Sequence, residues 1–262
     1  MIPRGYIIEW SEQSPWNDMY QIEQDLIISR VLVTIYNDDY LSKRLAFRGG
    51  TAIHRLYITP QVRYSEDIDL VQISPEPIGS TLDRLRFVLS FLGIPSTQRK
   101  ASNNTLVYKM RSTFPPEIQM KLKIEINCKE HYTVLGYIQK PFEMQNAWFT
   151  GKSNLVTYDF NELLGTKLRA LYQRRKGRDL FDLYMATFSP SLNTELVAKC
   201  FHYYMESSVG NVPTYKMFIN NLDEKLKIPQ FTQDMESIIM PGFEYNPVSA
   251  VEVVKETFLM KI

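Results

Sequence analysis

FRGGTAIHRLYITPQVRYSEDIDL, residues 47–70, holds a Gly-Gly pair, a short helical pattern and two aspartates split by one apolar residue. In an extended strand, side chains at i and i+2 point to one face, with Cα atoms about 6–7 Å apart. Asp67 and Asp69 then share a face, while Ile68 and Leu70 turn the other way, into a core. Two hard oxygen donors side by side suit one or two Mg²⁺ or Mn²⁺ ions. Such ions neutralise phosphate charge and polarise an attacking hydroxyl. The same spacing describes two solvated acids on an exposed strand face, and DxD alone does not separate these readings. Upstream, a glycine pair at Gly49 and Gly50 lets backbone approach a ligand closely, and a helix start offers free N–H groups to phosphate. Thr51 adds a hydroxyl. A plain tight turn accounts for the two glycines as well.

A second strand bears on the choice. In KLKIEIN (121–127), Leu122, Ile124 and Ile126 form one face, and Lys121, Lys123, Glu125 and Asn127 the other. Paired near the 67–71 strand, Glu125 supplies a third carboxylate for a metal. As a plain amphipathic strand the segment needs no site. Further on, NELLGTKLRALYQRRKGRDLFDLY (161–184) places Lys167, Leu171, Arg174 and Arg178 at spacings of four, three and four, one face of a continuous helix. Gly177 weakens that helix. Cations facing carboxylates make a triphosphate cradle: acids hold metal, metal holds phosphate, and Lys or Arg takes the remaining charge. A solvated basic face with an Arg178–Asp182 helix pair is the simpler alternative.

Around these segments the pattern is mixed. Residues 18–36 repeat apolar side chains at helical spacing, LAFR (45–48) reads as a short buried strand, and Ser80 is placed to cap a helix ending at Gly93. Strands are expected at 104–113 and 118–128, joined through FPPE. Residues 145–158 show no clear period, and 159–262 read as mostly helical. The expected architecture is therefore α+β: a small mixed β-sheet with flanking helices over 1–150, then a mainly helical part over 151–262.

The bulk composition narrows the class. A formal net charge of +1 rules out a global polycation, so a nucleic-acid partner needs a local basic patch. Cys128 and Cys200 fit no metal or redox spacing and suit a reducing cytoplasm. No apolar run approaches a membrane span or a signal-peptide core, so a cytoplasmic location without a membrane partner is expected. His54, His131 and His202 are scattered and receive no role.

FRGGTAIHRLY…RYSEDIDL resembles the first motif of the AbiEii/AbiGii-type nucleotidyltransferase toxins, of the DNA polymerase β-like nucleotidyltransferase superfamily. KLRALYQRRKGRDLFDLY resembles that family's later Lys…Arg-Asp-x-x-Asp-Leu motif. The two motifs cover about a sixth of the chain, in the family's order. The resemblance implies a nucleotidyltransferase core whose nucleotide site is completed by the helical part. It implies a metal pair at Asp67 and Asp69, phosphate contacts near Gly49, Gly50 and Thr51, and Ser65 at the family's serine before the acids. Lys167 takes the place of the nucleotide-contacting lysine, and Arg178, Asp179 and Asp182 that of Arg-Asp-x-x-Asp. Asp179 joins the catalytic set, and Arg174 joins the phosphate-binding cations. Sixteen residues separate Gly50 from Asp67, longer than the usual interval of the superfamily. The activity implied is transfer of a nucleoside monophosphate from NTP to an acceptor hydroxyl, with Mg²⁺ or Mn²⁺, by a toxin with a cognate antitoxin. RNA, tRNA first, is the expected acceptor. Nucleotidylation of a protein or small molecule, and a non-catalytic nucleotide- or antitoxin-binding module, stay open. A DxD glycosyltransferase fits poorly with the Gly-Gly turn and the Lys/Arg-Asp helix.

Overall fold

Seven strands form one mixed sheet in the computed structural model, which describes residues 2–100 and 103–262. They are β1 (Leu45–Arg48), β2 (Ile68–Gln72), β3 (Ser96–Lys100), β4 (Asn103–Arg111), β5 (Gln119–Asn127), β6 (Tyr137–Asn146) and β7 (Phe149–Tyr158). Their spatial order is β3-β4-β5-β2-β1-β7-β6. β2 runs antiparallel to β1 and parallel to β5. The helices are α1 (Arg4–Ser11), α2 (Met19–Tyr36), α3 (Gly49–Leu56), α4 (Gly79–Val88), α5 (Phe160–Gln173), α6 (Gly177–Ala186), α7 (Thr194–Val209), α8 (Tyr215–Leu226), α9 (Pro229–Thr232) and α10 (Pro247–Thr257). The expected α+β architecture, a mixed sheet followed by helices, is the one observed.

The chain divides into two compact units: Met1–Ala52, Tyr64–Tyr132 and Tyr137–Tyr158 make one, and Ile53–Arg63, Thr133–Gly136 and Asp159–Ile262 the other. In the first, Asp18 caps α2 by accepting from the Tyr20 and Gln21 amides. The apolar side chains of α2, with Ile22, Leu26 and Val33 buried, pack against β5, β6 and β7. Its buried Glu23, Gln24, Asp25 and Ser29 all make side-chain hydrogen bonds. Gln24 Nε2 donates to the carbonyls of Glu66 at 2.9 Å and Lys121 at 3.0 Å, which ties the approach to β2 onto β5.

In the second unit, Glu162 at the start of α5 is fully buried and accepts from Thr133 Oγ1, the Val134 and Leu135 amides and the Tyr204 hydroxyl, at 2.7–2.8 Å. That carboxylate is why the short Thr133–Gly136 segment belongs with the helices. α5 packs closely on α7: a Cβ on Gly165 would lie 2.6 Å from Cys200 Cβ.

Several local expectations change. Ser80 does not cap α4; the helix begins after Ile78, which makes no side-chain cap, and Ser80 lies inside it. β3 had no counterpart in the sequence reading. The aperiodic stretch before the C-terminal helices is the β6–β7 hairpin, and the boundary expected at 150/151 falls inside β7, the first unit running to Tyr158. Pro141 hid β6; proline is tolerated there because β6 is an edge strand.

Candidate active site

In the first unit the acids fall as the alternation requires. Asp67 immediately precedes β2; Asp67 and Asp69 are partly exposed on either side of fully buried Ile68. Asp69 pairs laterally with Glu125 of β5 and with Arg48 of β1, so these side chains share one sheet face. Glu125 Oε1 accepts from Asn103 Nδ2 at 2.7 Å. Burial pushes the Asp67 carboxyl above its ordinary pKa; Lys123, with Nζ 3.4 Å from Oδ2, opposes this, while Asp69 and Glu66 add to it. Two acids crowding each other are the electrostatic setting that a hard divalent cation relieves.

Gly49 opens α3 at φ +79°, in the left-handed region that glycine enters at no steric cost. Its Cα faces the Asp69 carboxylate so closely that any Cβ would overlap Oδ2. Gly50 follows in the first turn of α3. Thr51 Oγ1 donates to the Asp67 carbonyl at 2.7 Å, so its hydroxyl anchors the acid-bearing backbone. Ser65 is buried just ahead of the pair.

In the second unit the basic motif is not one helix. α5 ends at Gln173, Arg174 is extended at φ −125° and ψ 165°, and α6 begins at Gly177. The break turns Arg174 back onto the first turn of α6. Its Nε and Nη2 donate to Asp179 at 2.6 and 2.7 Å, a bidentate pair. Lys167 Nζ lies 2.9 Å from both Asp179 Oδ1 and Asp182 Oδ2, with its side chain only 6% exposed. The amide and guanidinium of Arg178 hold Asp234. Burial alone would raise the Asp179 carboxyl, but Lys167 and Arg174 more than reverse this and hold it below the ordinary range.

Two members of this cluster were missed. Arg63 donates Nε and Nη2 to Asp182 at 2.8 and 3.2 Å, and His54 Nε2 lies 2.9 Å from Asp182 Oδ1. Against burial, Arg63, then Lys167 and His54, hold the Asp182 carboxyl well below its usual value. An ionised Asp182 can only accept, so Nε2 carries the His54 proton, and Nδ1 is left bare and buried without a hydrogen-bond partner. Burial lowers the His54 pKa, outweighing Asp182, and the ring is neutral near neutral pH. The sequence offered one weak signal for Arg63, its closeness to the acidic strand, and none for His54.

Among the described residues, no group of three or more His, Cys, Asp or Glu side chains is arranged to hold a metal. The Asp67–Asp69 pair still fits a Mg²⁺ ion, which is commonly held by one or two carboxylates together with substrate phosphates rather than by a full protein cage.

A glycine-led helix beside paired acids on a sheet face, with a separate lysine–arginine–aspartate cluster, has the parts of a phosphate-handling transferase. The chain belongs to the AbiEii nucleotidyltransferase toxin family: the family model described as "Nucleotidyl transferase AbiEii toxin, Type IV TA system" matches residues 30–255. It is accordingly a nucleotidyltransferase and a toxin of a type IV toxin–antitoxin system. Among solved structures, MenT4, a nucleotidyltransferase toxin from Mycobacterium tuberculosis H37Rv, superposes with TM-score 0.69 at 16% identity, over 100% of this chain and 91% of that one. JHP933 from Helicobacter pylori follows with TM-score 0.57 at 16% identity, over 93% of this chain and 94% of that one. At such identities the likeness is one of fold. The chain has no match among curated proteins. Among the described residues, no helix is long and apolar enough to cross a membrane.

Proposed function

We propose that this toxin transfers a nucleoside monophosphate from an NTP to a hydroxyl of RNA, tRNA first, with pyrophosphate leaving and Mg²⁺ or Mn²⁺ bound at Asp67 and Asp69. The observation that carries the reading is Asp69 set against the Cα of Gly49 and opposite Glu125 of β5, with Asp67 just ahead of it across buried Ile68. A metal held there supplies charge neutralisation and Lewis acidity to the phosphates. The protein's own part is positional. Gly49 and Gly50 keep side chains away from the start of α3, where amides can meet a phosphate. Thr51 and Gln24 fix the backbone on which Asp67 stands. Glu125, steadied by Asn103, is the neighbouring acid that completes the polar face. Ser65 is assigned a phosphate hydrogen bond.

On the helical unit, Lys167 and Arg174, with Arg178 nearby in sequence, are the phosphate-binding cations that the family motif implies. Asp179 orients the first two, accepting from both at once. Asp182, clamped by Arg63 and His54, sets where the Lys167 ammonium lies. The family's description makes a cognate antitoxin the expected partner, and a toxin acting on cellular RNA works in the cytoplasm. The test is transfer of an α-phosphate label from each NTP, supplied separately with Mg²⁺, to tRNA or to cell protein. Label on tRNA that Asp67→Asn and Lys167→Ala both abolish supports the reading. Label on protein moves the acceptor, and NTP binding without pyrophosphate release removes catalysis.

A further inference from the structure

In the basic segment at 169–178 three arginines are engaged internally, while Arg175 and Lys176 are exposed. Arg169 is buried over the Tyr204 ring, Arg174 is held by Asp179 and Arg178 by Asp234. Another group of exposed cations lies on the sheet. Residues directly opposite one another in a ladder share a face. In β4 and β5 the opposed pairs are Arg111–Gln119, Lys109–Lys121, Val107–Lys123 and Thr105–Glu125, and Glu125 pairs in turn with Asp69 of β2. One sheet face therefore runs from Asp69 and Glu125 through Lys123 and Lys121 to Lys109 and Arg111. All four cations are exposed. Along a strand they are spaced by about 7 Å, and across strands by about 4.8 Å. Two acids temper the row, Asp67 at 3.4 Å from Lys123 and Glu117 at 3.6 Å from Arg111.

We propose that this face of β4 and β5 is the track on which the phosphate backbone of the RNA acceptor lies. The inference rests on the proposed function and adds the surface to it. Between the cations the face offers buried Val107 and Thr105 and exposed Gln119. A protein partner would call for an apolar or aromatic centre, whereas a polyanion needs spaced cations and little else. The row is continuous with the acids, so a bound backbone would lead toward the metal-binding pair.

The test is anisotropy of a fluorescein-labelled mixed tRNA pool, titrated with the full-length toxin between about 50 and 200 mM KCl. Lys109→Gln/Lys121→Gln is compared with Lys216→Gln/Lys227→Gln, which removes the same charge from exposed positions on and just after α8. The track predicts that the first pair flattens the slope of log K against log salt by about 1.4–1.8, at about 0.7–0.9 per cation, and raises the KM for tRNA while the KM for NTP and kcat stay put. The control pair should leave the slope unchanged. Equal losses in both pairs, or none in either, overturn the track. If tRNA still takes label in those cases, the proposed function stands without this surface. If the wild type binds no tRNA and labels protein instead, the acceptor reading itself has failed.

Discussion

Gly49 carries two constraints at once, a positive φ and a carboxylate against its Cα. Gly49→Ala should therefore move Asp69 and abolish nucleotide transfer, while thermal stability falls by about 1–3 kcal/mol for a strained backbone position; label transfer and melting curves separate the two effects. His54 makes a different prediction. Its folded pKa lies below the unfolded value of about 6.5. Between those values the unfolded chain binds more protons, so stability falls as pH drops below about 6.5. Asp182 and Asp179 have folded values below the ordinary carboxylate range. Their contribution is present above about pH 4 and is lost only as pH falls further, through the folded values. His54→Gln should flatten the decline in Tm between about pH 6.5 and 5; a decline parallel to wild type would show that His54 is not the group titrating. Arg63→Ala would leave Asp182 short of its main counter-charge and should cost about 3–5 kcal/mol, read by urea denaturation.

At the scale of elements, legibility followed locality. The strand–turn–helix–strand run from Leu45 to Gln72 was readable because its signals are short-range: an apolar stretch, a glycine pair, and an alternation around Ile68. The β6–β7 hairpin was not, because its strands carry Pro141 and Gly151 and bury few side chains until β7 nears Tyr158. The break at Arg174 was hidden for another reason. Helical spacing continues through 167–178, and the choice between one helix and two is decided by Asp179 drawing Lys167 and Arg174 together. The cluster at Asp182 gathers residues 54, 63 and 167 from distant stretches, and no spacing rule can see it. Two helix contacts are open to direct test. Gly165→Ala should push α5 off α7 and destabilise by about 1–3 kcal/mol. Lys225 is buried, donates to the Leu171 and Tyr172 carbonyls at the end of α5, and has its pKa lowered by burial to about 8. Lys225→Met should cost about 1–3 kcal/mol by stranding those carbonyls, visible as a drop in urea midpoint.

Over the whole molecule, a formal net charge of +1 conceals how unevenly charge is used. The helical unit spends Lys167, Arg63, Arg174 and Arg178 on buried or half-buried aspartates, while the sheet leaves Lys109, Arg111, Lys121 and Lys123 exposed. Composition could exclude a polycation but could not say which basic residues face solvent. The proposed function turns on Asp67 and Asp69 supporting metal-dependent transfer of a nucleoside monophosphate to RNA. The most direct measurement incubates tRNA and Mg²⁺ with NTP labelled at the α- or the γ-phosphate, using wild type and Asp67→Asn/Asp69→Asn. The α-label alone should enter tRNA, pyrophosphate should appear in equal amount, and EDTA or the double substitution should abolish both. Transfer that survives the double substitution, or γ-label on the RNA, would contradict the proposed function.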